Sequence, residues 1–239
     1  MLSLLLNACI YKHYVKSDSL FYKTENLNET DSAVVKTVSP YKSKLDEEMN
    51  KVIGYCDVML AKEQPESNMG NWAADAVADR AGFYSKKEVS FALLNYGGLR
   101  IESSAPGPIT KSKIFELMPF DNMLVVIEVQ GNELDKVFRH AVSKGGWPVS
   151  SAVKLTADAS GKLIKVIVNG EPVDADKTYN IATIDYLASG GDNCDFFKNK
   201  KQFATGIFLR NAIIEYVENM NAEGMKINVQ KEGRFVFEK

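Results

Sequence analysis

The spacing of hydrophobic positions changes several times along the chain, and each spacing predicts an element. Leu45, Met49 and Val52–Ile53 recur at helical intervals over Lys42–Ile53, and Tyr55–Ala61 then reads as a strand. In Gly70–Phe83, Trp72, Ala73, Val77 and Ala81 fall on one stripe, with Asn68 placed to cap the first turn. Val89–Leu94 is a short, strongly apolar strand that stops at the permissive turn Asn95–Tyr96–Gly97–Gly98. Lys111–Leu117 reads as a short helix behind Pro106–Gly107–Pro108, Met123–Val129 as a strand, Gly131–Asn132 as a turn and Glu133–Ser143 as a helix. Val153–Thr156 and Leu163–Val168 have the pattern of a hairpin around Ala159–Ser160–Gly161. Tyr179–Ile184 is a further strand, running into Ser189–Gly190–Gly191–Asp192. Phe208–Asn219 carries Leu209, Ala212–Ile213 and Tyr216–Val217 on one helical face, and Arg234–Phe237 is the last strand. Helices and strands mix throughout, so the fold class is α/β (α+β mixed), with no internal repeat.

Before Tyr41 the periodicity dissolves. Residues 10–40 are polar without a clear period and read as a flexible tether, leaving 41–239 as the folded domain. Residues 1–9 hold the apolar run Leu4–Leu5–Leu6 followed by Asn7–Ala8–Cys9. That ending resembles a bacterial lipoprotein signal, in which cleavage before the cysteine leaves it N-terminal and carrying lipid. The run is shorter than a complete signal and no Lys or Arg precedes it, which implies a start codon further upstream. The expectation is an envelope protein, periplasmic or on the outer surface, attached to the membrane through lipid on Cys9. A short apolar end tucked into the fold is the alternative. No other apolar run is long enough to span a bilayer.

Composition narrows the chemistry. A chain of 239 residues, 45% apolar and 25% charged, can bury one substantial core. A net charge of −2 without a Lys/Arg run argues against a nucleic-acid polymer as partner and leaves room for one small anion in a local pocket. The histidines are His13 and His140, and Cys9, Cys56 and Cys194 fit no zinc spacing, so no metal site is expected on this chain. His140, within a helical stretch, reads as a surface or packed helix residue. Cys56 and Cys194 are a candidate pair in an oxidising compartment.

Three turns could carry chemistry. In Asn95-Tyr-Gly-Gly-Leu-Arg100 the Gly97–Gly98 pair allows close backbone approach to a ligand, and Arg100 can present a planar fork to phosphate or carboxylate. In Met118-Pro-Phe-Asp-Asn122, Phe120 can stack on a flat base and Asn122 can read its polar edge. In Tyr186-Leu-Ala-Ser-Gly-Gly-Asp192, Tyr186 offers a second aromatic face. Asp192, behind Gly190–Gly191, can accept from vicinal hydroxyls. Each also has a bland reading: a tight turn with a surface Arg, a core Phe beside a turn, a strand-end Tyr with a turn Asp.

The three turns together, in this order, resemble the C-terminal domain of the 5′-nucleotidase family. That family shows Asn-Gly-Gly-Gly-Ile-Arg, Pro-Gly-x-Ile-Thr, Leu-Pro-Phe-Gly-Asn and Ala-x-Gly-Gly-Asp-Gly. Pro106-Gly-Pro-Ile-Thr110 fills the second place. Ser67-Asn-Met-Gly-Asn-Trp-Ala-Ala-Asp75 is similar to the family's Asn-x-Gly-Asn-x-x-x-Asp, and Val129-Gln-Gly-Asn-Glu-Leu134 to its Thr-Gly-x-x-Leu. The resemblance covers Tyr41 to the C-terminus. It implies a base stacked between Phe120 and Tyr186, Asn122 and Asn95 at or near the base, Asp192 on ribose hydroxyls and Arg100 on phosphate.

Departures from the pattern matter equally. Tyr96 replaces the first loop glycine, where it would reshape the turn or cover the pocket. Asp121 replaces the glycine before Asn122 and would bring negative charge near a phosphate. Asn193–Cys194 replace a Gly-aromatic pair, and Pro65 and Glu66 stand where relatives often carry an arginine, with Lys62 the nearest base. The family's N-terminal metallophosphoesterase domain holds two metal ions. Neither its Asp-x-His opening nor its Gly-Asn-His-Glu segment occurs in the residues before the fold. The resemblance therefore implies a nucleotide-recognition subunit whose divalent metal ions and hydrolysis are supplied by a separate metallophosphoesterase chain. The alternatives are a stand-alone nucleoside- or nucleotide-binding lipoprotein and a scaffold that has lost its pocket.

Overall fold

The computed structural model describes residues 32–238. Residues 1–9 and the first part of the expected tether, with Cys9 and His13, lie outside the described residues. The compact body starts at Lys44. Helix α1, Ser32–Met49, begins earlier than the pattern suggests, has Pro40 in its interior and buries none of its residues. The stretch from Ser32 to Pro40 is therefore helical, and the expected helix over Lys42–Ile53 ends at Met49.

The body then runs β1 Val52–Cys56, β2 Leu60–Ala61, α2 Asn68–Ser85, β3 Phe91–Ala92, β4 Ser103–Ser104, β5 Gly107–Thr110, α3 Lys111–Leu117, β6 Met123–Gln130 and α4 Leu134–Ser143. It continues with β7 Val153–Asp158, β8 Leu163–Val168, β9 Glu171–Pro172, β10 Thr178–Ile184, α5 Asp185–Ala188, β11 Gln202–Phe208, α6 Leu209–Ala222 and β12 Phe235–Glu238. Val52 and Ile53 belong to β1 because Val52 pairs with Thr110 of β5, a partner that helical spacing cannot reveal. Helix α2 is capped by Ser67, whose hydroxyl accepts from the Gly70 amide at 2.9 Å, rather than by Asn68. Asn68 instead bonds Ala61 N and Met59 O.

The central sheet has strand order β11-β6-β10-β3. β6 is antiparallel to both β10 and β11, whereas β3 runs parallel to β10. Residues Leu124–Ile127 of β6 are buried without interruption, the pattern of a strand covered on both faces. Helices α2 and α6 pack on this sheet and on each other. Helix α4 buries Leu134, Val137, Phe138, Ala141 and Val142, and Phe138 stacks on Phe91 of β3 at 5.3 Å. A second sheet, β12-β7-β8-β9, lies against α4 through β8.

This topology positions the site. Because β3 and β10 are parallel and β6 opposes them, the exits of β3 and β10 and the entrance of β6 share one end of the sheet. The three turns singled out in the sequence are those connections. The exit of β11 also lies there, since Phe208 pairs with Met123.

Candidate functional site

A cleft of about 330 Å³ opens at that end of the sheet, lined by Asn95, Gly97, Gly98, Phe120, Asn122, Ile184, Tyr186 and Asp192. Phe120 and Tyr186 are each 46% exposed, so the rings of two distant loops face a common space and are not packed away in the core. Ile184, the last residue of β10, is a lining residue that the motifs do not point to. The only sequence signal for it is its place directly before the third turn.

The Tyr186 loop is held by its own atoms. Gly190 has φ 95°, a conformation that an L side chain rarely adopts, and Asp192 and Asn193 follow with φ 52° and 65°. Asp and Asn tolerate this region because their short polar side chains bond locally, which is how Asn193 replaces a glycine. A Cβ on Gly191 would stand 2.6 Å from three atoms of the Tyr186 ring, so the ring rests directly on that glycine. The Tyr186 hydroxyl donates to Asp192 Oδ1 at 2.8 Å and accepts from the Asp192 amide at 3.2 Å. The hydrogen bond to the carboxylate pushes the phenol pKa above its ordinary value.

Asp192 links this loop to the first one. Its Oδ2 accepts from Asn95 Nδ2 at 2.6 Å. That bond fixes the Asn95 amide and leaves its Oδ1 buried without a partner. The cleft therefore offers the Asp192 carboxylate as an acceptor for O–H or N–H donors, while the Asn95 carbonyl oxygen stays buried in its wall. Behind Asp192, half-buried His140 packs edge-on against Trp147 at 5.0 Å and Phe196 at 5.4 Å, and its Nε2 is buried without a partner. Burial and Lys144 push its pKa down, against the pull of Asp192. It is thus a packed helix residue whose protonation the neighbouring Asp192 influences.

The Phe120 loop is held from elsewhere. Arg210, in the first turn of α6, donates through Nη1 to Pro119 O at 3.1 Å and through Nη2 to Asp121 Oδ1 at 2.7 Å. Asp121 is paired in this way, so its charge is balanced locally. Arg100 is exposed and lies outside the cleft lining, its guanidinium 5.5 Å from the Phe120 ring centroid and its Nη1 3.4 Å from Gly97 O.

Tyr96 neither lines nor covers the cleft. Its side chain is buried beneath the loop, with the hydroxyl 3.3 Å from Ser67 Oγ, and borders a separate recess of about 270 Å³ with Lys62, Glu63, Gln64 and Glu102. Lys62 is engaged there, donating to Leu99 O and Glu102 Oε1, both at 3.1 Å. Cys56 and Cys194 are separate buried thiols rather than a pair. Burial raises the Cys194 pKa to about 12, with the Asp192 charge adding to it, so it stays protonated. Among the described residues no three His, Cys, Asp or Glu side chains converge to hold a metal ion. No described helix is long and apolar enough to cross a membrane.

Known proteins share this architecture. Protein UshA of Yersinia enterocolitica is 29% identical over 212 residues, 84% of this chain and 37% of that protein, and protein UshA of Escherichia coli is 28% identical over 225 residues, 90% of this chain. The chain thus spans about 37% of the length of these curated relatives. The crystal structure of a 5′-nucleotidase precursor from Thermus thermophilus superposes with a TM-score of 0.70 at 27% identity, covering 86% of this chain and 43% of that one. Residues 52–199 match the family described as 5′-nucleotidase, C-terminal domain, and this chain belongs to it.

Proposed function

We propose that the cleft binds the nucleoside part of a nucleotide and that this chain is the recognition subunit of a 5′-nucleotidase-type phosphohydrolase acting in nucleotide breakdown. The base stacks between Phe120 and Tyr186, with Asn122 at its edge. Asp192 accepts from the sugar hydroxyls, held in place by Asn95. Arg100 swings from the Phe120 ring toward the phosphate. Metal-dependent attack on phosphorus is supplied by a separate metallophosphoesterase chain, and lipid on Cys9 keeps the protein in the cell envelope. Holding the substrate in one pose lowers the barrier for a partner's attack by several kcal/mol.

The observation that carries this reading is the shared cleft of Phe120 and Tyr186 with the Asp192 network at its side. Calorimetry of the chain with adenosine and adenosine monophosphate tests it. Phe120→Ala and Tyr186→Ala should each weaken binding by roughly 1–3 kcal/mol, the loss of one stacking face. Unchanged affinity in both variants returns the chain to the scaffold reading. The preformed Asp192 network favours a second reading, in which the chain binds nucleosides unaided. Turnover separates the two: a cognate phosphoesterase should work faster with this chain than alone, and no gain with any such partner leaves a binding protein.

A further inference from the structure

We infer that Arg210 is a positioning residue that presets the base-stacking loop, tying Met118–Asn122 to the first turn of α6 so that Phe120 meets a ligand already in place. The inference deepens the proposed function and rests on it for the ligand. The clamp itself rests on geometry alone.

Four bonds converge on one guanidinium. Nη1 lies 3.5 Å from Met118 O, 3.1 Å from Pro119 O and 3.4 Å from Phe120 O, and Nη2 bonds Asp121 Oδ1 at 2.7 Å. The Arg210 Cζ stands 4.2 Å from the Phe115 ring centroid, so an aromatic face packs against the guanidinium as well. The Arg210 side chain is only 11% exposed, whereas Asp121 is 73% exposed, so the cation is enclosed and the acid reaches in from solvent. The residue before Arg210 completes the grip: Leu209 N donates to Asn122 O at 2.8 Å. Two consecutive residues of α6 therefore hold both halves of the loop that carries Phe120 and Asn122.

The planar fork matters here. Its donors reach several carbonyls and a carboxylate in fixed directions, which an ammonium on a flexible stem cannot reproduce. Asp121, which replaces the family glycine, acquires a purpose by this route. A glycine there would leave the loop freer and the guanidinium without its counter-charge. Fixing a loop beforehand removes an ordering cost that binding would otherwise carry.

The test places 4-fluorophenylalanine site-specifically at position 120 in the full chain and follows its fluorine resonance in Arg210→Met, Arg210→Lys and Asp121→Asn. In the wild type the resonance should be single and displaced from that of the free amino acid. In Arg210→Met it should broaden and move toward the free position, while adenosine affinity falls about tenfold, the scale expected when a loop must be ordered on binding. Arg210→Lys should recover part of both, and Asp121→Asn should shift both less but in the same direction. An unchanged resonance and affinity in folded Arg210→Met overturn the inference. Should that variant not fold, wild-type behaviour of both Arg210→Lys and Asp121→Asn overturns it equally. If the wild type binds no adenosine, the functional reading falls, and the fluorine resonance still decides the clamp.

Discussion

The two rings of the cleft are fixed in opposite ways. Tyr186 sits on a loop that organises itself: its ring rests on Gly191, its hydroxyl bonds Asp192, and the left-handed turn at Gly190, Asp192 and Asn193 lies within the same few residues. Phe120 sits on a loop whose side chains do little for one another and whose carbonyls are gathered by Arg210 from another element. A self-organised loop should tolerate distant change and respond sharply to local change. A remotely held loop should do the reverse.

The largest expected effect comes from Gly191→Ala. The new methyl would meet the Tyr186 ring at 2.6 Å, and the ring must leave its seat. Gly191 has no positive φ, so the damage is steric and local. Nucleoside affinity should fall by roughly 1–3 kcal/mol, as if one stacking face were lost, with little change in unfolding midpoint. Affinity equal to that of the wild type would show that the ring is not held by contact with that backbone.

Next in size is Asp192→Asn. A hydrogen bond to a charged group contributes roughly 1.5–3 kcal/mol and one to a neutral acceptor about 0.5–1.5, so with the amide carbonyl left to accept, binding of a ribonucleoside should weaken by about 1 kcal/mol, and binding of a 2′,3′-dideoxy analogue far less. The same substitution removes the carboxylate that raises the Tyr186 phenol pKa. Ultraviolet titration should then show one tyrosine ionising at lower pH than in the wild type. If the tyrosine titration is identical in the two proteins, the hydroxyl is not bonded to that carboxylate in solution.

How far these loops can be read from the chain differs for the same physical reason. The Tyr186 loop is legible because glycine, aspartate and aromatic lie close together in sequence, and the turn they make is the turn they need. Phe120 and Asn122 are also visible as a motif, but Arg210 is not: nothing around Phe208–Asn219 marks a first-turn arginine as partner to a distant loop. Strand β11 escapes for a related cause. Its positions alternate between exposed and half-buried, Thr205 stands among the inward ones, and Gly206 has φ 77°, so the run lacks the apolar signal of β6 or β10. Lys111–Leu117 is the contrary case, a helix whose bounds match the sequence reading behind Pro106–Gly107–Pro108, with the Thr110 hydroxyl accepting from Lys113 N at its start. Local chemistry is written in the sequence, and partnerships across the fold are not.

The smallest effect concerns the wall behind Asp192. Burial and Lys144 lower the His140 pKa, opposed by the neighbouring Asp192 backbone and charge. The unfolded imidazole takes up its proton near pH 6.5 while the folded site resists, so the neutral form contributes stability above that value. That contribution is lost as pH falls toward the lower folded value and is constant once both states are protonated. Carboxylates titrate in the same acid range, so the informative quantity is a difference. The gap in unfolding midpoint between the wild type and His140→Gln, which does not titrate, should shift in favour of the variant between pH 7.5 and pH 5.5. A gap that does not change with pH would place the imidazole in water rather than against Trp147 and Phe196, and the self-organised loop would then lack the support from α4 that this structure gives it.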